Sequence, residues 1–179
     1  MPVTKFNALL KLVKKNIAIY GRSNKVKAIE FDKRLKKIVD DYNSRDKLVF
    51  VNEVVGDFVD QLSDKLIQLL QDLEDDKKSF ERLGITYEEK VFFDILVAVR
   101  DDHAFPYAEE KCLVLAKEIK RLVDDKSKFA DWADRTDIKA QLESDLAVLL
   151  YKHGYPPEWD EEVFAKIMEQ TGNFKKYND

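Results

Sequence analysis

The stretch VNEVVGDFVDQLSDKLIQLLQDL, residues 51–73, decides the fold class. Its apolar positions are Val51, Val55, Phe58, Leu62, Leu66, Leu69 and Leu73. They advance about 3.7 residues per step, which is close to the helical period. Because no proline interrupts the sequence before Gly84, the pattern predicts one long helix over about residues 47–83. We expect this helix to lose its packing partner or to kink in the all-polar stretch 74–79.

Helical spacing continues on both sides of this stretch. Two amphipathic helices are predicted before it, and Gly21 is interpreted as the stop of the first. After it, Gly84 followed by Thr86 and Glu89 predicts a helix stop and then a capping box. Pro106 suits the first turn of a later helix. The sequence therefore predicts an all-α fold, an irregular bundle of about seven helices.

Charge and loop signals divide this single helical domain into three parts. Residues 1–45 form a basic helical pair, which a loop near residues 43–48 would let move as a unit. The long helix takes residues 46–83, and residues 84–179 form a C-terminal helical subdomain. Residues 1–50 carry a net charge of +8 and the rest of the chain −12, which sum to the overall −4. This asymmetry favours an anionic partner for the N-terminal part.

Composition excludes several classes of protein. The 179 residues include only five glycines and four prolines, which disfavours turn-rich sandwiches and barrels. Apolar residues make up 45% of the chain and charged residues 37%. The chain is therefore too hydrophobic to be disordered, and its charges are spread too evenly to leave a membrane-spanning segment. The single cysteine, Cys112, excludes an intramolecular disulfide framework. We expect a cytoplasmic protein with no membrane partner.

Cofactor and metal motifs are missing from the sequence. Phosphate-cradling loops need closely spaced glycines, whereas the glycines of this chain are never closer than 18 residues. This excludes a Walker-type ATP site and a dinucleotide fingerprint within the chain. One cysteine and two histidines 50 residues apart offer no zinc-ligand spacing. We expect no cofactor and no metal in this chain.

Two features of the sequence allow both a catalytic and a structural interpretation. Cys112 could act as a nucleophile with His103 or His153, but its place on an apolar helix face is typical of a core thiol. Three Glu-x-Lys triplets resemble part of a nuclease site, yet each lies on a predicted helix rather than on neighbouring strands. They are 88–90, 109–111 and 118–120. The structural interpretation is favoured for both.

Two groups of residues could contact partners. Trp132 and Arg135 lie just before a helix, and Tyr155 lies in a stiff Tyr-Pro-Pro turn after it; these side chains either anchor a partner or lock a helix pair. The second predicted helix offers four basic residues as candidate phosphate contacts, with a solvated surface as the alternative. These are Lys33, Arg34, Lys36 and Lys37.

Four motifs occur in a fixed order along the C-terminal half. They are GITYEEKVFFDIL (84–96), Asp-Trp (131–132) with Ile-Lys-Ala (138–140), His-Gly-Tyr-Pro-Pro (153–157) and Glu-Gln (169–170). In their order and spacing the chain resembles the C-terminal helical region of the restriction, or motor, subunit of type I restriction-modification enzymes. The resemblance covers about residues 80–177.

The resemblance implies a function for the chain. It implies a fragment of a larger subunit, an ATP- and Mg-dependent DNA translocase and type I site-specific deoxyribonuclease. The fragment would be a non-catalytic C-terminal assembly domain that docks this subunit onto the modification (methyltransferase) subunit, reaching DNA through the whole complex. Trp159 joins Trp132, Arg135 and Tyr155 as a candidate partner contact. The alternative is a helical nucleic-acid-binding module that uses the basic N-terminal helices.

Overall fold

The computed structural model describes residues 1–47, 52–128 and 131–177. Eight α-helices and no strand are found in these residues, which confirms the all-α prediction. The helices are α1 (Pro2–Ser23), α2 (Lys25–Asn43), α3 (Asn52–Lys77), α4 (Ser79–Arg82), α5 (Tyr87–His103), α6 (Glu109–Ser127), α7 (Thr136–Lys152) and α8 (Asp160–Tyr177). None of the helices in the described ranges is long and apolar enough to cross a membrane.

The chain divides into two compact units, Met1–Lys78 and Ser79–Asp179. In the first unit, α1, α2 and α3 each pack against the other two. One face of each helix is buried, because apolar residues recur at helical spacing. Near one end of the unit the rings of Phe6 and Tyr42 stack with centroids 4.0 Å apart, and further along α1 the Tyr20 hydroxyl donates to Asp76 Oδ2 at 2.5 Å. Contacts therefore place the basic helical pair in the same unit as α3.

The junction of α1 and α2 is tighter than the sequence predicts. Gly21 does not end α1, which continues to Ser23. A Cβ atom on Gly21 would lie 3.3 Å from the Cβ of Ala28, so this glycine permits close approach of the two helices. The turn is made instead by the buried Asn24, whose side chain accepts a hydrogen bond from the Lys27 amide at 3.2 Å and caps α2.

The long helix is α3, and it is shorter than the predicted span 47–83. It ends at Lys77, followed by a turn in which the Lys78 amide donates to the Asp75 carbonyl, so the break lies within the polar stretch 74–79 as expected. Val55 and Phe58 are only half-buried, and the buried row is Val59, Leu62, Leu66, Leu69 and Leu73. Val51 and its neighbours 48–50 lie outside the described residues.

The second unit is built from α4 and a closed set of four longer helices. α5 packs against α6, α6 against α7, α7 against α8, and α8 against α5. Gly84, at φ +68°, ends α4, and the predicted capping box of Thr86 and Glu89 starts α5. Gly154, at φ +73°, follows α7. Pro106 precedes the first turn of α6, which begins only at Glu109, instead of lying in it.

A buried ion pair lies inside α5. Lys90 Nζ donates to both carboxylate oxygens of Asp94, at 2.6 and 2.7 Å, one helical turn along. Both side chains are buried because α5 packs between α6 and α8. Apolar periodicity does not reveal this pair, since it assigns charged residues to the solvent side of a helix.

Candidate interaction surfaces

Two of the four candidate partner contacts are buried. Trp132 is 2% exposed and lies in a short 3-10 turn, Trp132–Asp134, that packs against α6 and α7. Tyr155 is 1% exposed. In this structure neither side chain is accessible to another molecule, so their predicted role as partner contacts has no support from their exposure.

Tyr155 locks the end of α7 to α5. Its hydroxyl donates to the Leu96 carbonyl at 2.8 Å, and its ring meets the edges of Phe105 and Tyr107, with centroids 5.2 and 5.1 Å away. Tyr107 in turn donates to the His153 carbonyl at 2.7 Å. Desolvation raises the pKa of both phenols, that of Tyr107 to about 12. The helix-locking interpretation of this turn is confirmed.

Trp159 and Arg135 remain accessible in part. Trp159 is half-buried and stacks on the imidazole of His103 at a centroid distance of 3.5 Å. His103 Nε2 lies 2.6 Å from Glu162 Oε2, so this group joins the end of α5 to the start of α8. Arg135 is exposed and paired with Asp137 at 2.7 Å, two residues along the chain. The two residues belong to different local clusters.

The four basic residues predicted as phosphate contacts are exposed on α2, but their surroundings are mixed. Arg34 pairs with Asp72 of α3 at 2.7 Å, and this bond lowers the pKa of Asp72. A shallow groove of about 240 Å³ between α2 and α3 is lined by Arg34, Lys37 and Lys65, but also by Asp41. α2 carries four acidic residues, Glu30, Asp32, Asp40 and Asp41. The surface is therefore less cationic than its lysines alone indicate.

A more uniformly basic surface lies on α1. This helix contains no acidic residue and five exposed basic ones: Lys5, Lys11, Lys14, Lys15 and Arg22. Leu12 and Ile19 lie among them, 44% and 41% exposed. This surface was not predicted, because the cations of α1 are spread along the helix, whereas those of α2 form a denser cluster in the sequence. A charge count for each predicted helix would have found it.

An apolar groove runs between α6 and α7. It has a volume of about 350 Å³, with Leu122, Val148 and Leu149 as its apolar lining and charged side chains around them. Val148 is 54% exposed, and Tyr151, three residues further along α7, is 75% exposed. Residues at this spacing share one helix face. The charged lining residues are Glu118, Arg121, Asp125, Asp145 and Lys152.

The residues considered for catalysis have structural environments. Cys112 is fully buried, and desolvation raises the pKa of its thiol to about 11, which disfavours the nucleophilic thiolate at neutral pH. This confirms that it is a core residue. The Glu-x-Lys triplets lie on α5 and α6, and Lys120 pairs with Glu88 at 2.8 Å across these helices. Within the described residues no group of three or more His, Cys, Asp or Glu could hold a metal ion.

Comparison with known proteins relates the chain to one family. Residues 1–177 match the family described as type I restriction enzyme HindI endonuclease subunit-like, C-terminal. The putative type I restriction enzyme MjaIXP endonuclease subunit of Methanocaldococcus jannaschii is 24% identical over 171 residues, covering 95% of this chain. The type I restriction enzyme HindI endonuclease subunit of Haemophilus influenzae is 24% identical over 165 residues, covering 92%. The chain spans 15% and 14% of these relatives. No solved structure matches significantly.

Proposed function

Because the chain belongs to the family of C-terminal regions of type I restriction enzyme endonuclease subunits, we propose that it is a non-catalytic assembly domain. It docks the translocase and endonuclease subunit onto the modification methyltransferase subunit, and DNA is reached through the whole complex in the cytoplasm. ATP-driven translocation and Mg-dependent cleavage would be properties of the longer subunit, since this chain spans 15% or less of its curated relatives.

The α6–α7 groove is the observation that carries this proposal. Interfaces between proteins combine an apolar centre with a polar rim, and this groove has both. Val148 of this groove and Tyr151, three residues further along α7 and outside the groove lining, are both exposed on regular helix, so little conformational entropy is lost when a partner covers them. Tyrosine is also among the residue types enriched at interface hot spots. We therefore place the contact surface at this groove and not at the buried Trp132 and Tyr155.

The test is binding of the purified chain to the modification subunit, measured by isothermal titration calorimetry. The double variant Val148→Asp, Tyr151→Ala should weaken binding at least about tenfold, because it places a charge in the apolar centre and removes a large contact side chain. Ile29→Asp on α2 is the control, since Ile29 is also an exposed aliphatic residue and belongs to the first unit, not to the groove lining. Circular dichroism verifies that the variants are folded.

Two results would contradict the proposal. If the parental chain does not bind the modification subunit, the assembly role is wrong. If it binds and the groove variant binds equally well, the groove is not the contact surface.

The alternative function, a nucleic-acid-binding module based on α2, has less support. Four acidic residues are interspersed among the α2 cations, and Arg34 is already paired with Asp72. Phosphate contacts would still be revealed by retardation of duplex DNA at about 50 mM salt that weakens steeply as salt rises. Loss of that retardation on reversing the charges of Lys33, Arg34, Lys36 and Lys37 would restore this alternative.

A further inference from the structure

Charge is segregated by helix in the first unit. α1 has five basic residues and no acidic one, whereas α3 has eight acidic and two basic residues. All five α1 cations are exposed. Within the described residues, Lys5, Lys11, Lys14 and Lys15 form no ion pair, so no ion pair in the described part of the chain neutralises these four charges. A surface of this kind attracts an anionic partner over a range of about one Debye length.

Apolar side chains interrupt this cationic surface at regular spacing. Leu12 and Ile19 are seven residues apart, two turns of helix, and lie on the side away from the buried row of Phe6, Val13, Ile17 and Tyr20. Lys15 lies between them on the same face, and Ala8 lies one turn before Leu12. Two exposed aliphatic residues one heptad apart and flanked by lysines make the pattern with which a helix packs against a second helix.

We infer that the α1 face, defined by Lys5, Lys11, Leu12, Lys15 and Ile19, binds an acidic amphipathic helix of the modification subunit. This inference rests on the proposed function and adds a second contact surface to the groove. Charge complementarity requires Asp and Glu at the edges of the partner helix, with two aliphatic residues one heptad apart between them. From Lys5 to Arg22 the cations span about 26 Å, which a partner helix of roughly 17 residues would match.

The apolar residues distinguish a helix from a nucleic acid as the occupant. A phosphate backbone would satisfy the lysines but would offer nothing apolar to cover Leu12 and Ile19. An amphipathic helix covers both kinds of side chain in one contact. The acidic protein helix is therefore favoured over DNA.

The experiment measures binding of the modification subunit to three forms of the chain at about 0.05 M and 0.3 M salt. Lys11→Glu/Lys15→Glu should weaken binding at least tenfold at low salt and reduce the salt dependence, because it removes two attractive charges and adds two repulsive ones. Leu12→Asn/Ile19→Asn should weaken binding at both salt concentrations and leave the salt dependence unchanged. Lys33→Glu/Lys36→Glu on α2 is the matched charge-reversal control and should bind within about twofold of the parental chain.

The outcomes separate this inference from the proposed function. If the parental chain binds and the α1 variants bind equally well, the α1 inference is wrong and the assembly role stands. If the parental chain itself does not bind, the assembly role fails and the inference fails with it. Retardation of duplex DNA that Lys11→Glu/Lys15→Glu abolishes would assign the face to phosphates. A dimer of the parental chain that the same variant dissociates would assign it to a second copy; either result overturns the inference.

Discussion

Tyr155 shows how one side chain can resemble a partner contact and act as an internal lock. Its hydroxyl reaches the Leu96 carbonyl, and its ring packs against Phe105 and Tyr107. A buried phenol keeps its hydrogen bond because desolvation without a partner would cost about 1–3 kcal/mol. The order Tyr-Pro-Pro therefore serves the packing of the second unit.

Replacing Tyr155 with phenylalanine should lower the free energy of unfolding by about 1 kcal/mol, because one buried hydrogen bond is lost while the ring contacts remain. Urea unfolding followed by circular dichroism measures this difference. Tyr151→Phe is the control, since Tyr151 is exposed and should change stability by less than about 0.5 kcal/mol. Equal effects of the two variants would show that the Tyr155 bond contributes nothing.

The thiol of Cys112 should make stability depend on alkaline pH. Burial raises its pKa from 9.0 to about 11, so the unfolded chain releases this proton first as pH rises. Stability from this group is complete below pH 9 and is lost progressively up to about pH 11, with a loss of about 1 kcal/mol by pH 10. Tyr107, with its pKa raised to about 12, adds to the loss only above about pH 10.

The measurement is the free energy of unfolding in urea between pH 8 and 10, for the parental chain and for Cys112→Ala. The alanine variant starts from a lower stability because it leaves a cavity, but its stability should fall less over this range. The same decrease in both proteins would assign the alkaline loss to other groups.

The candidate contact residues show what sequence could not reveal at this scale. Trp132 is buried because its short turn packs against α6 and α7. The spacing of neighbouring residues in the sequence does not predict this tertiary contact. Val148 and Tyr151 are exposed although they are an apolar and an aromatic residue on a packed helix, and their spacing alone does not separate them from the buried residues of α7. Burial of Cys112 was predictable, because Leu115, Ala116 and Ile119 follow it at helical spacing.

At the scale of single elements, the prediction was most accurate where the signal is local. The capping box of Thr86 and Glu89 and the left-handed Gly84 are set by backbone geometry over a few residues, and both are confirmed. Gly21 was misread as a helix stop, since its role is the close contact with Ala28, a neighbour brought near only by the fold. The end of α3 was placed six residues too far because charged residues at 74–78 are good helix formers that carry no packing information.

Substitutions at the N-termini of α5 and α6 should change the free energy of unfolding in opposite directions. Thr86→Ala removes the capping bond to the Glu89 amide and should lower the free energy of unfolding by about 1 kcal/mol. Ala108, the exposed residue before α6, provides no side-chain cap, so Ala108→Ser should raise it by about 0.5 kcal/mol. Urea unfolding of both variants checks the pair, and a shift of both in the same direction would contradict the capping account.

At the scale of the whole molecule, the net charge of −4 conceals a strongly cationic surface. The sequence pI is about 5.4, yet the N-terminal 50 residues carry +8. Five of these positive charges belong to α1, where they are exposed and no acidic residue lies among them. Net charge alone would predict repulsion from every anionic surface, whereas the charge distribution predicts local attraction.

The chain should therefore be retained on a cation-exchange resin at pH 7 and about 0.01 M ionic strength, where the Debye length is about 30 Å. Lys11→Glu/Lys15→Glu should abolish retention, and Lys33→Glu/Lys36→Glu should reduce it less. The elution volume in a salt gradient is the readout. If the parental protein flows through the column unretained, the positive charge of α1 is too weak to bind the resin against the net negative charge of the chain.

Both tryptophans of the chain, Trp132 and Trp159, lie in the second unit, one enclosed and one stacked on an imidazole. Indole emission consequently reports on that unit alone, while the first unit carries only phenol fluorophores such as Tyr20 and Tyr42. Fluorescence excited at a wavelength selective for indole therefore reports the unfolding of the second unit. A denaturation curve recorded by this emission and one recorded by far-ultraviolet ellipticity therefore sample different sets of residues, and comparing their midpoints reveals whether the halves unfold together.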